Sequence, residues 1–391
     1  MISVSEALQR IFALCSPMDA ETVPLAEASG RVMIRDAVAR RTQPPFAASA
    51  MDGYAVCAED ATIGSVLPVI GEAAAGHRFG APLRHGSAVR IFTGAPVPNG
   101  ADSILIQENA TRDGDEITVT QTPRPGEYIR PAGGDFQVGQ TLSAPHRLTP
   151  RDVALLAAMN IAEVKVSRKP KVALIPTGDE LVLPGEDPGA DQIVSSNNFG
   201  LAAMLTGIGA EPLLCPIARD TKASLEDALD QAKDADFILT LGGASVGDHD
   251  LVAEVSQSRG MTLDFYKIAM RPGKPLMAGR LGNAVLIGLP GNPVSAMVCG
   301  EVFIRPAIDA ALGLPAQARQ TRIAPLAHDL GANGPREHYM RAVLNGDGEI
   351  EVFDRQDSSL VNILAQSNAL VVREKLAENL HKGAMVPFIP L

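Results

Sequence analysis

The chain has 391 residues, of which 46% are hydrophobic and 20% are charged, and its formal net charge is −11. This composition is that of a globular protein and excludes an intrinsically disordered one. The acidic balance argues against a surface for nucleic acid or an anionic membrane, because such surfaces need stripes of Lys and Arg. The length predicts two to four domains.

Cysteine usage and the apolar segments indicate the compartment in which the protein works. Its four cysteines lie far apart and form no C-x-x-C pair, so neither a zinc ribbon nor a disulfide framework is predicted. Free thiols fit a reducing cytosol. The first residues lack the basic region of a signal peptide, and prolines interrupt the uncharged segment 281–300. We therefore expect a cytoplasmic protein with no membrane association.

Two segments on either side of a β-type region have a helical character. Residues 3–40 begin with a capping-box pattern and look helical, with an extended conformation as the alternative for residues 31–39. Much later, Thr149-Pro150 reads as the N-cap and the first residue of another helix. Because the two segments resemble each other, we predict one discontinuous helical domain made of residues 1–44 and 145–168.

The region between them has a different pattern. Short β-type runs there are divided by Gly, Pro and Asp, and the clearest hairpin has Asp113-Gly114 at its turn. We predict that residues 45–144 form a β-rich domain inserted into the helical one.

Apolar β-type runs alternate with helical segments in the second half of the chain, which favours a parallel sheet. The predicted strands are 171–176, 212–217, 237–241 and 265–270, and the predicted helices are 197–207, 224–233, a short one after residue 250, and 293–313. We predict an αβα sandwich over residues 169–317, followed by a small C-terminal β barrel or sandwich over residues 318–391. The predicted fold class is therefore multidomain α/β.

Three turns that follow these strands carry charges or a helix cap. The first contains Asp248 and Asp250, the second contains Arg271 and Lys274, and the third, Asn292-Pro293, looks like an N-cap with proline at the first helical position. Ligands bind at the carboxyl ends of parallel strands, where such turns converge. Small residues in the turns would let backbone N–H groups approach an anion: Gly242, Gly243, Ser245, Gly247 and Gly291.

Carboxylates and amides on the same edge complete the candidate site. Glu180 and Asp250 could hold Mg²⁺ through oxygen ligands, with waters and a substrate phosphate completing the octahedron. Ser196 and Asn197 lie in a run of four polar residues, which is more than helix capping requires. Asp220 fits a helix cap and a ligand role equally well.

Seven motifs in chain order carry a resemblance to a known family. The stretches MDGYA, TGAPVPNGAD, R-x-x-x-G-D, PTGDEL, LGGASVG-x-x-D, K-x-x-x-R-PGKP and LPGNPVSA resemble those of the molybdopterin molybdenumtransferases, the MoeA/gephyrin E-domain family. The resemblance implies four domains in an elongated homodimer, with each active cleft completed by the partner subunit. It also implies the insertion of molybdenum from molybdate into adenylylated molybdopterin, with a divalent metal and release of AMP.

The resemblance assigns functional roles to particular residues. Transfer of the family's catalytic positions points to Asp52, Thr93, Glu180, Asp220, Asp250, Lys267, Arg271 and Lys274. Its substrate-contacting positions fall on Arg130, Asp135, Pro290 and Pro293, with Arg341 and Ser358 as the molybdate-contacting pair. Two departures are Arg271, where the family often has lysine, and Asp357, where a glycine commonly precedes the serine.

The charges agree with this chemistry, since molybdate and both phosphates are anions that an acidic protein must hold with local basic groups. No covalent nucleophile is evident, so we expect catalysis by positioning and electrostatics. Two alternatives remain: adenylylation of molybdopterin, which uses the same αβα domain, and a non-catalytic scaffold of the same fold. The molybdopterin adenylyltransferase is a candidate physical partner.

Overall fold

The structure, a computed structural model, describes residues 1–243 and 251–391. Its α-helices are α1 (Val4–Leu14), α2 (Pro150–Ala158), α3 (Asn197–Gly207), α4 (Lys222–Gln231), α5 (Leu251–Ser258), α6 (Pro293–Cys299), α7 (Arg305–Ala311) and α8 (Val361–Gln366). Its strands are β1 (Ala20–Pro24), β2 (Val32–Met33), β3 (Ala37–Val38), β4 (Ala48–Ser49), β5 (Gly53–Val56), β6 (Val66–Ala73), β7 (Ala88–Ile91), β8 (Ser103–Ile106), β9 (Ala110–Asp113), β10 (Glu116–Val119), β11 (Ile129–Arg130), β12 (Thr141–Leu142), β13 (His146–Arg147), β14 (Glu163–Ser167), β15 (Lys171–Pro176), β16 (Leu181–Val182), β17 (Ile193–Val194), β18 (Glu211–Leu214), β19 (Phe237–Leu241), β20 (Thr262–Tyr266), β21 (Met270–Arg271), β22 (Met277–Leu281), β23 (Ala284–Leu289), β24 (Arg322–Pro325), β25 (Glu337–Leu344), β26 (Ile350–Val352), β27 (Ala369–Arg373) and β28 (Met385–Pro390).

The central sheet has the strand order β18-β15-β19-β23-β22-β20. Strands β18, β15, β19 and β23 run parallel to one another, and every residue of β19 and β23 is buried, as expected for strands covered on both faces. The prediction of a parallel sheet needs one correction, because β22 runs antiparallel to both β23 and β20. The connection from β20 to β22 consequently lies at the carboxyl edge of the parallel strands.

Helices cover both faces of this sheet. Alternating side chains of β15 and β19 divide between two apolar clusters: Leu174 and Leu239 pack with α1, α3, α6 and α7, and Ile175 and Ile238 pack with α4 and α5. The predicted bounds of the helix at 197–207 and of the strands at 171–176 and 237–241 are confirmed. A π-helical turn, Gly300–Ile304, joins α6 to α7 within the predicted long helix.

The N-terminal segment departs from its prediction. The helical interpretation is wrong beyond Leu14, where α1 ends and three short strands follow, but the extended alternative for residues 31–39 agrees with β2 and β3. Those strands pair with distant ones: β1 and β2 with β14, β2 also with β13, and β3 with β12. Moreover, the buried face of α1, which includes Leu8 and Ile11, packs in the core of the central sheet.

The β-rich region contains a sheet with the order β8-β5-β7-β6-β10-β9. The hairpin β9–β10 forms where it is predicted, but its turn is shifted by one residue. Asp113 pairs with Glu116, so the two loop residues are Gly114 and Asp115. Gly114 has φ +59°, a conformation that glycine adopts readily.

The C-terminal strands have the order β21-β25-β27-β28-β24, with β26 on β25. A bridge between Leu326 and Ile350 joins the end of β24 to β26. Strand β21 comes from the connection between β20 and β22, and it pairs with β25 in parallel. The fold is therefore mostly strands, and the domain boundaries and a closed barrel stay predictions. No helix in the described parts of the chain is long and apolar enough to cross a membrane.

Candidate functional site

A cleft of about 500 Å³ lies at the carboxyl edge of the central sheet. The ends of β15, β19 and β23 form its floor, and the starts of α3 and α6 form its walls. The residues around it include Thr177, Glu180, Ser195, Ser196, Asn197, Pro275, Pro290, Gly291, Asn292, Pro293 and Ser359. The sheet-edge site predicted from the turns is thus a real concavity.

Glycine lets two of these turns approach each other. Gly242 has φ +106°, and a Cβ atom on it would lie 2.7 Å from the carbonyl oxygen of Thr177. Thr177 itself is buried, and its N–H donates to the carbonyl of Leu241 at 3.0 Å. Any larger residue at Gly242 would push the two turns apart and widen the cleft.

Asn197 ties the start of α3 to the turn after β23. Its Nδ2 donates to the carbonyl of Gly291 at 2.7 Å, and its Oδ1 lies 3.3 Å from the hydroxyl of Ser196. Pro293 is the first residue of α6, as predicted. Asn292 occupies the N-cap position, but its side chain makes no capping hydrogen bond, so its amide faces the cleft without that role.

The acidic residues have different surroundings. Glu180 is exposed and lines the cleft. Asp220 also is exposed, and its backbone N–H donates to Asp179 Oδ1 at 3.1 Å. The interpretation of Asp220 as a helix cap is wrong, because Thr221 is the N-cap of α4 and accepts from the N–H of Ser224. Asp220 therefore keeps a carboxylate free of that capping role.

Part of the predicted site cannot be placed. Asp250, the other predicted metal ligand, lies outside the described residues, as do Ser245 and Gly247. Gly243 is the last described residue before them and has φ +68°.

The basic residues lie on the connection between β20 and β22. Lys267 has φ +73°, its N–H donates to the carbonyl of Leu276 at 2.9 Å, and its Nζ lies 4.8 Å from the centre of the Tyr266 ring. Lys274 is half-buried, whereas Arg271 is exposed. The connection brings all three cations to the carboxyl edge of the sheet, which is where the sequence predicts them.

Arg341 is completely buried. Its Nη2 donates to the carbonyl of Asp357 at 2.9 Å, while Nε and Nη1 have no partner among the described residues. Burial lowers the pKa of its guanidinium, and nearby Arg271 lowers it further, against the opposing charge of Asp357. The side chain is therefore a buried cation with two donors available for a ligand.

Asp357, which replaces the glycine common in the resembled family, is held by hydrogen bonds within the loop that follows β26. One oxygen of Asp357 accepts from the hydroxyl of Ser359 at 2.6 Å and from its N–H at 2.8 Å. These bonds lower the pKa of the carboxyl group. The carbonyl of Ser358 accepts from the N–H of Val294, which anchors the loop to the first turn of α6.

The β-rich region brings a second set of predicted residues together. Asp52 Oδ1 accepts from the N–H of Thr93 at 2.7 Å and from its hydroxyl at 2.8 Å, and these bonds lower the pKa of Asp52. Arg130 is exposed on β11, which pairs with β4 just before Asp52. Asp135 is exposed, and its N–H bonds to the carbonyl of Gln43.

The two sets of residues remain apart within one chain. Among the residues that the structure describes, no hydrogen bond or ion pair joins residues 45–136 to the central cleft. The set of three metal-ligating side chains that the described ranges bring within 4.8 Å is Cys57, Glu59 and His85, in the β-rich region and away from Glu180.

Sequence reasoning missed two buried residues, His338 and Arg373. Both lie on strands of the C-terminal sheet, β25 and β27, and carry nitrogen atoms without partners among the described residues. The available signal was the strand ALVVR, in which Arg373 continues the inward alternation of Ala369 and Val371.

The sequence matches three family descriptions that together span most of the chain. These are the MoeA N-terminal region (domain I and II) over residues 2–160, the probable molybdopterin binding domain over 173–310, and the MoeA C-terminal region (domain IV) over 323–391.

Whole-chain relatives agree with these matches. The chain is 36% identical to a molybdopterin molybdenumtransferase of Nostoc sp., covering 95% of this chain and 90% of that protein. It is 35% identical to a molybdopterin molybdenumtransferase of Haemophilus influenzae, covering 100% and 98%. The crystal structure of a molybdopterin biosynthesis MoeA protein from Pyrococcus horikoshii OT3 superposes with a TM-score of 0.86 at 29% identity, over the whole of both chains.

The fold and its sheet-edge cleft therefore define an enzyme of molybdenum cofactor biosynthesis with a MoeA-type, multidomain α/β architecture. More narrowly, the chain belongs to the molybdopterin molybdenumtransferase family.

Proposed function

We propose that this transferase inserts molybdenum from molybdate into adenylylated molybdopterin and releases AMP, acting as a homodimer in the cytoplasm. The single observation that carries the proposal is Arg341, a fully buried guanidinium with Nε and Nη1 unpaired. A buried cation with unpaired donors is costly, and a bound oxyanion would satisfy those donors and add to the partial balance of charge from Asp357.

Neighbouring groups suit the same anion. Arg271 is close enough to lower the pKa of Arg341. Ser358 follows Asp357, whose carbonyl accepts from Arg341, and its own carbonyl is bonded to the first turn of α6. A planar guanidinium can give two parallel hydrogen bonds to a tetrahedral oxyanion. Arg341, Lys274 and Ser358 would thus hold molybdate in place for the transfer, and the positive charge of Arg271 would add to the attraction for the anion.

The cleft beside these residues suits the pterin and the phosphates. Its volume of about 500 Å³ falls within the usual range for ligand pockets. Asn197 and Ser196 offer amide and hydroxyl groups, while the turns at Gly242 and Gly291 let the backbone approach an anion. Lys267 would neutralise a phosphate at the same edge.

The predicted metal site fits a hard cation by its donor chemistry. Glu180 offers an exposed carboxylate that belongs to no ion pair within the described ranges, and oxygen is the ligand type that Mg²⁺ prefers. Glu180 and Asp250 would hold the metal. When bound, it would supply Lewis-acid polarisation of the phosphoanhydride.

The rest of the catalysis would come from side chains that position the reacting groups and stabilise their charge. Arg341 would align the molybdate oxygens, and Lys267 would stabilise the AMP phosphate as it leaves. Closure by the partner subunit's copy of the Asp52–Thr93 set would exclude water. Stabilising developing charge with fixed groups is commonly the largest contribution to catalysis of this type.

The deciding experiment is a turnover assay with purified protein and adenylylated molybdopterin. We expect AMP release and molybdenum incorporation only when molybdate and a divalent metal are both present. The Asp250→Ala protein should lose this activity with little change in thermal stability, because a carboxylate reserved for a ligand contributes less than about 1 kcal/mol to folding. Consumption of ATP with free molybdopterin would instead identify an adenylyltransferase, and binding of neither AMP nor molybdate would identify a scaffold.

A further inference from the structure

Three basic residues form a row across three neighbouring strands of the C-terminal sheet. Arg271 on β21 pairs with His338 on β25, and His338 pairs with Arg373 on β27. Residues paired in this way point to the same face of a sheet, and in the antiparallel pair of His338 and Arg373 the Cβ atoms lie roughly 4.5–5.5 Å apart. The row therefore places two guanidinium groups on either side of one imidazole.

The row lies on the opposite face of β25 from Arg341. Successive residues of a strand alternate between faces, and Arg341 is three positions after His338. Tyr339, on the Arg341 face, packs in the core of the central sheet, whereas Ala342, on the His338 face, packs in the core of the C-terminal sheet. The row and the Arg341 group are separate arrangements.

Two members of the row are buried and incompletely bonded. His338 is 5% exposed and Arg373 is 3% exposed. Nη2 of Arg373 donates to the backbone carbonyl of Glu378, but Nε and Nη1 have no partner, and neither does Nε2 of His338.

No carboxylate balances this charge. Among the described residues, Arg373 forms no ion pair, and burial alone lowers the pKa of its guanidinium. Burial also lowers the pKa of His338 to about 4, with Arg271, Arg341, Arg336 and Arg373 adding to the effect. His338 is thus neutral at pH 7, and it can donate one N–H without adding to the positive charge.

We propose that the row of Arg271, His338 and Arg373 binds a second tetrahedral oxyanion, separate from the anion that Arg341 holds. A buried guanidinium with two free N–H groups is costly without a counter-ion, and an anion between Arg373 and Arg271 would satisfy both its charge and its donors. Arg271 is the exposed member of the row, so it marks the end from which an anion enters. Molybdate, phosphate and sulfate share the required shape and charge.

Binding stoichiometry tests the proposal without any turnover. Anion-free protein is dialysed to equilibrium against molybdate, and bound molybdenum is measured by elemental analysis. We expect two molybdates per chain for the parent protein and one for Arg373→Met. Arg322→Met is the matched control, because Arg322 is exposed on β24 of the same sheet and has no side-chain partner among the described residues. It should bind two.

Competition identifies the source of the anion. If phosphate and sulfate displace one of the two molybdates, and that one is absent from Arg373→Met, the row is a general oxyanion site. If neither displaces it, the row selects molybdate. Two molybdates bound to Arg373→Met with unchanged affinity would overturn the proposal.

Melting temperatures measured with and without molybdate distinguish an anion-binding Arg373 from one that only supports the fold. In anion-free buffer, Arg373→Met should melt at or above the parent temperature, because an unbalanced buried charge has been replaced by an apolar chain of similar length. Molybdate should then raise the melting temperature of the parent more than that of the variant. A variant that is destabilised equally with and without molybdate would show that Arg373 only supports the loop after β27. If Arg373→Met does not fold, His338→Gln can be compared in the same way.

Discussion

Arg271 interacts with more than one of the buried basic residues. It is exposed, it pairs with the buried His338, and its charge reaches Arg341. Because like charges gathered in this way repel, the arrangement is favourable only when an anion lies among them.

Substitution of Arg271 should therefore weaken anion binding without unfolding the protein. Arg271→Ala removes a charge-assisted hydrogen bond worth about 1.5–3 kcal/mol, so we expect roughly ten- to a hundredfold weaker binding of molybdate. Arg271→Lys keeps the charge but loses the planar fork, and it should retain measurable activity with a smaller loss.

Titration calorimetry with molybdate and with AMP, carried out separately, would show which anion Arg271 holds. Lys267→Ala and Lys274→Ala are the comparison variants, and their losses should not be additive with that of Arg271→Ala. Parent-like affinity of Arg271→Ala for both anions would mean that Arg271 is only a solvated charge.

At the scale of single elements, the start of α2 carries a pH-dependent contribution to stability. Burial opposes ionisation of Asp152, but hydrogen bonds from the hydroxyl and N–H of Thr149 outweigh it, and Nε2 of His146 lies 3.0 Å away. The pKa of Asp152 is lowered to about 2. A lowered pKa means that the stabilisation is complete above about pH 4 and is lost as the pH falls towards 2.

Asp152→Asn should accordingly reduce the free energy of unfolding by about 1–2 kcal/mol at pH 7. The difference from the parent should shrink as the pH is lowered from 4 to 2, which urea unfolding at several pH values would measure. Asp227→Asn is the control, because Asp227 is an exposed residue of α4 without a capping role. An equal effect at pH 7 and pH 2.5 would contradict this account.

The turn that carries Arg271 and Lys274 depends on Gly273. Gly273 has φ +112°, and a Cβ atom there would lie 2.6 Å from Sγ of the buried Cys299. Gly273→Ala should cost more than about 2 kcal/mol, since a left-handed conformation and a clash with the core add together.

Gly348→Ala is the control that separates the cost of the left-handed conformation from the cost of the clash with Cys299. Gly348 has φ +79° but open space around it, so Gly348→Ala should cost only about 1–2 kcal/mol. Equal losses for the two variants in chemical denaturation would show that the turn can move away from Cys299.

Helices and strands with a strong apolar pattern in their own sequence were predicted correctly. The helix at 197–207 and the strand at 237–241 have strong apolar patterns and flanking turn residues, and their predicted bounds are confirmed. Strands β2 and β3 lie within residues 31–39, where an extended conformation was the alternative prediction. Their bounds and partners were not predicted, because two residues carry no pattern and the partners lie more than a hundred positions away. The alternation in ALVVR could indicate that Arg373 points inward, but its pairing with His338 could not be predicted, because the register between β25 and β27 joins distant parts of the chain.

For the whole molecule, the separation between the Asp52–Thr93 pair and the central cleft predicts a homodimer with shared sites. The two sets make no direct hydrogen bond or ion pair within the described ranges, yet the family resemblance places them in one active site. A neighbouring subunit would bring them together.

Mixing two inactive variants tests this arrangement. Asp52→Ala and Asp250→Ala chains, mixed under conditions that permit subunit exchange, should recover up to about a quarter of the parent activity, because half of the dimers are mixed and each has one intact site. Each variant alone is the control. Sedimentation of the parent as a monomer would rule the shared site out.

Strand β21 has a consequence for how the chain unfolds. Met270 and Arg271 belong by sequence to the central connection but by pairing to the C-terminal sheet, and Tyr339, Leu370 and Ile389 of that sheet pack in the central apolar core. Two units that share a strand and a core cannot melt one after the other, because opening either one exposes the interior of its neighbour. They should lose structure in a single cooperative transition, while the β-rich region, with apolar clusters drawn from its own strands, melts independently.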